Sequence, residues 1–456
     1  MKVRINFEYS GGNLGAKKIM TIDARPNLGV TMSSALSRKY QAIEKKTAPL
    51  QKKTWPEPSQ YSLSPLQANH FLGSVLNLKK AAPLRFQGWG ETGQALPEVN
   101  LQDFTSGDTE KRAAFVQKLG ESLSRYGFVS ISGHSVPPAL INTYYQTLPK
   151  VFGLPMEIKK QYVRADMGRN RGYYELGQET KAVYAGGPRV ADKKENWHSG
   201  APDTFNVFPQ EGSRSFPRQN EMLFRKMEST SLLLAEAVGE YLDSIGLKDH
   251  GYIKSTLLDH SRPIGNHLMR SIHYPPVPKS ERLGYQPGQP VIRAGQHTDM
   301  NLFTLLPEAT EAGLQIMPRE NGEETGKWLP IHSQAGTLMM NVGDMLSLIS
   351  GGEINEQGRI VKQGAIPSIR HQVVGDETTL GRPRFSIPFF TTPHYDKPLR
   401  NLKTGQEIPT VEFSYRRLNG HGSLNHTSLS DFRKNVAPMV RPLTLNETEN
   451  ITSLKH

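Results

Sequence analysis

The sequence predicts a mainly β fold flanked by helices, and three observations carry that expectation. After about residue 264, short apolar runs alternate with turns: "HLMRSIHYPP", "VIRAGQHTDMNLFTLL", "GLQIMP", "WLPIH", "TLMMNVGDMLSLIS", "IPSIRHQVV" and "RFSIPFF". Evenly spaced short strands of this kind build an antiparallel sandwich or barrel. The 41 glycines and 32 prolines in 456 residues favour turns over a helical bundle. From residue 96 to about 263 the apolar pattern is largely helical, so helices precede the strands.

Four segments follow from the same patterns. Residues 1–95 carry 14 Lys and Arg against 5 Asp and Glu, so a balance of +9 out of the chain's +12 sits there. The basic residues occur as pairs such as Lys45-Lys46 and Lys52-Lys53, without a compact run, which points to a solvated basic extension rather than a nucleic-acid surface. Residues 96–263 open with "LPEVNLQDF", read as a short strand. A helix follows with Phe115, Leu119 and Leu123 on one face and closes near Gly127. "FVSISGH" reads as a buried strand and "PPALINTYYQTLPKVFGLP" as a second helix. A longer helix from about 218 to 245 aligns Leu223, Met227, Leu234, Val238 and Leu242. Residues 264–400 hold the strands, with a Gly-rich hairpin at "LISGGEINEQGRIVKQGAIPS", and residues 401–456 form a partly helical tail.

Composition also excludes chemistry. With no cysteine there are no disulfides or thiolate metal sites, so a metal must use His, Asp, Glu or backbone oxygen. No apolar run is long enough to cross a bilayer and the start lacks a signal-peptide core, so a cytoplasmic location is expected.

Two His-x-acid triplets occur, His297-Thr298-Asp299 and His394-Tyr395-Asp396. About one is expected by chance, so the triplet means little alone. On a strand, residues i and i+2 share a face, so His297 and Asp299 can address one ion while Thr298 points away. His371 in "IPSIRHQVV" is the candidate third ligand, and two His plus one carboxylate with open positions opposite is the pattern of non-haem Fe(II) sites. Downstream, Arg384 and Ser386 again stand at i and i+2, and a guanidinium beside a hydroxyl suits a carboxylate. His394-Tyr395-Asp396 has no such company and is assigned to chance. Asp344 in "NVGDML" reads as a turn residue.

The succession "HTDMNLFTLL", "GLQI", "GTLMMNVGDML", "RHQVV" and "RFSIPFF" resembles the core of the 2-oxoglutarate/Fe(II)-dependent dioxygenases of the isopenicillin N synthase-like group. "GFVSISGHSVP", "FGLPMEIKKQY" and "RGYYELGQE" are similar to that family's preceding helical domain, and the likeness spans about residues 96–400. It implies a double-stranded β-helix (jelly roll) core with Fe(II) on His297, Asp299 and His371. It implies 2-oxoglutarate held by Arg384, Ser386 and Tyr274 (the Tyr of "IHYPPVP"), with ascorbate as an accessory reductant. "RNRGYY" and "KKENWHSG" match segments that edge the family's substrate pocket, making Arg171, Tyr173 and Trp197 substrate candidates; of Arg270 and His273, which flank Tyr274, the sequence does not say which faces the cavity. The implied activity is oxidation of a small organic substrate by O2, coupled to decarboxylation of 2-oxoglutarate. Two alternatives stay open, an oxidase of the same fold that uses no 2-oxoglutarate and an inactive binding protein; an oxygenase acting on nucleic acid is a third, resting only on the basic extension. Departures from the pattern are Ile272, where the family has Asn, and the stretch "GDETTLG", which lengthens the turn between His371 and Arg384.

Overall fold

The computed structural model describes residues 2–5, 20–23 and 96–436, apart from 168–169, 180–190, 203–204, 259–265, 279–290, 321, 332–335 and 420–427. The chain forms two compact units, residues 1–67 and 68–456. In the first, β1 (Lys2–Ile5) and β2 (Met20–Asp23) pair antiparallel. The remainder of the stretch expected as a basic extension, 1–95, lies outside the described residues.

In the second unit, β3 (Glu98–Asn100) is shorter than "LPEVNLQDF" suggested, because the Asn100 side chain accepts from Gln102 N and starts α1 (Leu101–Thr105). Such a cap satisfies an amide that the first helical turn leaves unpaired. The Asp108 carboxylate likewise caps α2 (Thr109–Tyr126), which ends at Gly127 with φ +63°, a left-handed position that glycine adopts without strain. After β4 (Phe128–Ser132) come α3 (Pro138–Phe152), α4 (Met156–Lys160), β5 (Gly172–Tyr174), β6 (Glu195–Ser199) and α5 (Phe216–Ser244). The five apolar positions expected on the face of this long helix are all buried.

The strand-rich part runs β7 (Leu268–Tyr274), β8 (Val291–His297), β9 (Phe303–Pro307), β10 (Leu314–Ile316), a hairpin of β11 (Arg319–Glu320) and β12 (Glu323–Glu324), β13 (Leu329–Pro330) and β14 (Leu338–Val342). "TLMMNVGDMLSLIS" is therefore not one strand: it turns at Gly343 into α6 (Asp344–Ile349). A Cβ on Gly343 would stand 2.0 Å from the carbonyl oxygen of Asn301, so this close approach admits only glycine. The Gly-rich hairpin is β15 (Glu353–Ile354) and β16 (Ile360–Lys362). Then follow β17 (His371–Gly375), β18 (Arg384–Ser386), β19 (Phe389–Thr391), the pair β20 (Pro398–Arg400) and β21 (Glu407–Pro409), α7 (Thr410–Asn419) and α8 (Leu429–Val436).

Two sheets result. The major one has the order β3-β4-β14-β9-β19-β7-β6-β5, with β18 also on β7, and the minor one β13-β10-β17-β8. The segments on either side of residue 264 thus share one sheet. Alternation decides what each strand residue meets. In the major sheet Val129, Ile131, Phe303, Leu305, Leu338 and Met340 pack on the helix side with Leu119, Leu123 and Leu234. Their neighbours Phe128 and Met339 join Ala294, Ile316 and Val373 of the minor sheet in a second cluster between the sheets. Both faces of the major sheet are buried, and the jelly-roll cavity opens between the two sheets.

Candidate metal centre and co-substrate site

Register brings the ligands together. β8 and β17 are antiparallel neighbours in which His297 stands directly opposite His371, and the two rings lie 4.3 Å apart. Asp299 follows two residues after His297, just past the end of β8. Its Oδ1 lies 3.8 Å from His297 Nε2 and 3.7 Å from His371 Nε2, and all three residues are buried. Among the described residues this is the only group of three potential ligands that converge on one point, and His394 and Asp396 are not part of such a group.

Neighbouring groups orient each donor atom. His297 Nδ1 is 2.8 Å from Gly295 O and His371 Nδ1 is 3.3 Å from Ile369 O. A carbonyl can only accept, so each Nδ1 carries the proton and each Nε2 presents its lone pair inward. On Asp299, Oδ2 accepts from Thr304 Oγ1 at 2.7 Å and Asn341 Nδ2 at 2.9 Å, which leaves Oδ1 for a metal. Thr298 points the other way, as alternation requires: its hydroxyl donates to Asp344 Oδ2 at 3.1 Å and accepts from Arg417 Nη2 at 3.1 Å. Asp344, at the start of α6, is ion-paired with Arg417 of α7 and accepts from Ser368 Oγ at 2.7 Å. Its backbone N–H also donates to Asp299 O at 2.7 Å. The last helices thereby brace the loop that carries the ligands.

Arg384 and Ser386 face the same cavity, opposite Tyr274 and Ile272 of β7. Pro388 cannot donate to the ladder, so β18 and β19 are one strand interrupted there, with Arg270 N still reaching Pro388 O at 3.0 Å. Arg384 Nε donates to Glu311 O at 3.0 Å, whereas its buried Nη1 has no partner among the described residues. The Tyr274 ring lies 5.0 Å from the guanidinium carbon and holds its plane. Behind this ring, Arg293 is fully buried and burial pushes its pKa down to about 10, with Arg384 adding repulsion. An unsatisfied buried donor on a cation is costly unless an anion completes it. The donor set and this orphaned N–H both fit Fe(II) with a dicarboxylate co-substrate.

Parity sorts the remaining candidates. Arg270, Ile272 and Tyr274 line the cavity, while His273 points to the opposite face and contacts Glu195 Oε1 at 2.7 Å. Tyr173 and Trp197 are cross-strand partners on that same opposite face and belong to the helix-side core. Trp197 Nε1 donates to Val207 O at 2.9 Å. Arg171 is buried against Gly200, where burial lowers its pKa to about 10. None of these three expected substrate residues is among the described residues that line the cavity. The sequence reading had missed Lys194, Thr304, Asn341 and Phe390, which do line it. For Lys194 a signal existed, since it lies one position from Glu195 in the very segment singled out.

A groove of about 860 Å³ between α2 and β16 is far larger than the cavity of about 60 Å³ at the triad, yet it contains no converging ligand set.

Known proteins resemble this chain over the same stretch. Residues 96–219 match the family described as non-haem dioxygenase in morphine synthesis N-terminal, and residues 265–393 match the 2OG-Fe(II) oxygenase superfamily. A proline hydroxylase, buaE, of Petromyces alliaceus is 27% identical over 67% of this chain and 89% of its own. A crystal structure of a putative 2OG-Fe(II) oxygenase family protein from Caulobacter crescentus is 30% identical, covers 71% of this chain and 98% of its own, and superposes with a TM-score of 0.55. A full-length Neurospora crassa protein crystallised in complex with alpha-KG shares the fold at 24% identity and a TM-score of 0.57, over 71% of this chain and 95% of its own.

The chain belongs to the 2OG-Fe(II) oxygenase superfamily. It is a 2-oxoglutarate-dependent dioxygenase that uses Fe(II), couples decarboxylation of the keto acid to oxidation of a small-molecule substrate by O2, and is favoured by these relatives over the oxidase and binding-protein alternatives. Among the described residues no helix is long and apolar enough to cross a membrane.

Proposed function

We propose that His297 Nε2, His371 Nε2 and Asp299 Oδ1 hold the Fe(II), and that Arg384 with Ser386 takes the distal carboxylate of 2-oxoglutarate. The observation that carries this reading is the convergence of those three donor atoms on a cavity that also holds the unpartnered Nη1 of Arg384. Fe(II) held there together with the keto acid would supply the oxygen activation that protein side chains lack. The residues here position and desolvate. Gly295 and Ile369 fix the imidazole tautomers, and Thr304 and Asn341 hold Asp299 with one oxygen turned inward. Tyr274 sets the direction of the Arg384 guanidinium through its ring, and Ile272 offers no polar contact where the family has Asn. Phe128, Leu306 and Val373 keep water from the ligands.

Anaerobic titration of the full chain with Fe(II) and then 2-oxoglutarate tests this. The visible charge-transfer band of the chelate is expected in the wild type and weakened in Arg384→Ala. Iron binding without a band in the wild type would overturn the assignment of Arg384, and absence of iron binding would overturn the triad.

A further inference from the structure

The end of the cavity away from Arg384 holds a second guanidinium with an open edge. On β7, Arg270 and Tyr274 share the cavity face four residues apart, which is about 13 Å along a strand. Tyr274 stands opposite Arg384, so Arg270 lies toward the other end of this face of β7. Arg270 Nη1 donates to Glu179 Oε1 at 3.0 Å, and its guanidinium carbon lies 5.2 Å from the centre of the Phe390 ring. Its Nε is buried and has no partner among the described residues. Among the described residues Nη1 alone is engaged, which leaves the Nε–Nη2 edge, the fork that matches a carboxylate with two parallel hydrogen bonds.

The nearby acids are already committed. Glu179 Oε2 lies 2.9 Å from Lys194 Nζ, and Asp192 bonds the same ammonium at 2.7 Å through Oδ2 and Gly295 N at 3.0 Å through Oδ1. Burial alone would lower the pKa of Lys194, but Asp192 and Glu179 outweigh it and hold the ammonium above its ordinary value. Neither acid is therefore left to pair with the Nε–Nη2 edge of Arg270.

We propose that the Nε–Nη2 edge of Arg270 receives a carboxylate of the primary substrate, which makes that substrate a small organic acid. This rests on the assignment of Arg384 to 2-oxoglutarate. The acid's body lies over the Phe390 ring and Ile272, both of which line the cavity, and the carbon to be oxidised falls between the carboxylate and the triad. A charge-assisted pair with a carboxylate satisfies the orphaned N–H.

The test uses the full chain loaded anaerobically with Fe(II) and saturating 2-oxoglutarate. Benzoate and hexanoate are titrated beside benzamide and hexanamide, with calorimetry and the charge-transfer band as readouts. At least one acid is expected to bind about tenfold or more tightly than its own amide, in line with a charged hydrogen bond, and to shift the band without abolishing it. The preference should vanish in Arg270→Gln and return in part in Arg270→Lys. Equal binding of acids and amides to the wild type would overturn the proposal, and that result needs no variant to fold. A preference that survives Arg270→Gln would overturn it too, as would loss of the band on adding acid, which places the acid at Arg384. A wild type that gives no band before any acid is added refutes the co-substrate reading itself, and this inference with it.

Discussion

The two ends of the cavity place an arginine on facing strands of one sheet, but they fix it differently. At the Arg384 end the guanidinium is held by a backbone carbonyl, Glu311 O, and by the ring of Tyr274. At the Arg270 end it is held by a side chain, Glu179, the outer member of a row that runs through Lys194 to Asp192. A carbonyl in a loop closed by backbone bonds, such as Thr310 N to Phe385 O, leaves little choice of position. A carboxylate on a rotatable stem can yield. On the proposed assignments, the difference would suit an end that always receives the same diacid and an end that admits a particular substrate.

The largest effect that would break the comparison is at the centre, which both ends share. Asp299→Ala is expected to abolish Fe(II) binding, measured by anaerobic titration, because it removes the one anionic donor of the triad. If Fe(II) affinity survived, neither end would have a reacting centre to serve. Next, Arg417→Ala leaves Asp344 buried without its ion partner, and losing one side of a buried pair typically costs about 3–5 kcal/mol. A fall in thermal midpoint together with weakened iron binding is expected, and unchanged iron affinity in the folded variant would show that the brace from α7 does not reach Asp299. Asn341→Leu frees Asp299 Oδ2 from one donor and should weaken iron binding about 10- to 100-fold, as outer partners of metal ligands do.

Arg384→Ala should raise the 2-oxoglutarate concentration needed for half the charge-transfer band by at least about tenfold, the worth of a charged hydrogen bond. Arg270→Gln should leave that concentration nearly unchanged. Equal effects from the two variants would erase the distinction between the ends. A smaller effect lies far from the cavity, at Asp249, whose carboxyl burial pushes up to about 6 while the N–H of Ile253 opposes the rise and Asp243 adds to it. A carboxyl raised above its unfolded value stabilises the fold fully below about pH 4, and that contribution is lost as pH rises through about 6. Asp249→Asn should flatten the urea stability profile across that window by roughly 2–3 kcal/mol.

Much of this was legible in the chain. The period of four in Phe115, Leu119 and Leu123, the left-handed stop at Gly127 and the long apolar face of α5 are local signals, and the fold keeps them. His297-x-Asp299 and Arg384-x-Ser386 were legible because a strand repeats every two residues, so each pair must share a face. The errors were also local in origin. Tyr173 and Trp197 were chosen from the right segments and the wrong parity, and a step of one residue moves a side chain from cavity to core. "TLMMNVGDMLSLIS" looked like a strand because a buried helix and a buried strand are equally apolar, and only the approach of Asn301 O to Gly343 shows where one becomes the other.

The sequence by itself determined the donor types, the absence of thiolate chemistry, the helix faces and the pairing of ligands two apart, since these depend on composition and short-range geometry. Only the tertiary structure decided that His371 stands opposite His297, that Thr304 and Asn341 turn Asp299 Oδ1 inward, and that Arg270 rather than His273 faces the cavity. Those relations join residues far apart in the chain through sheet register, and register is set by the packing of both faces at once.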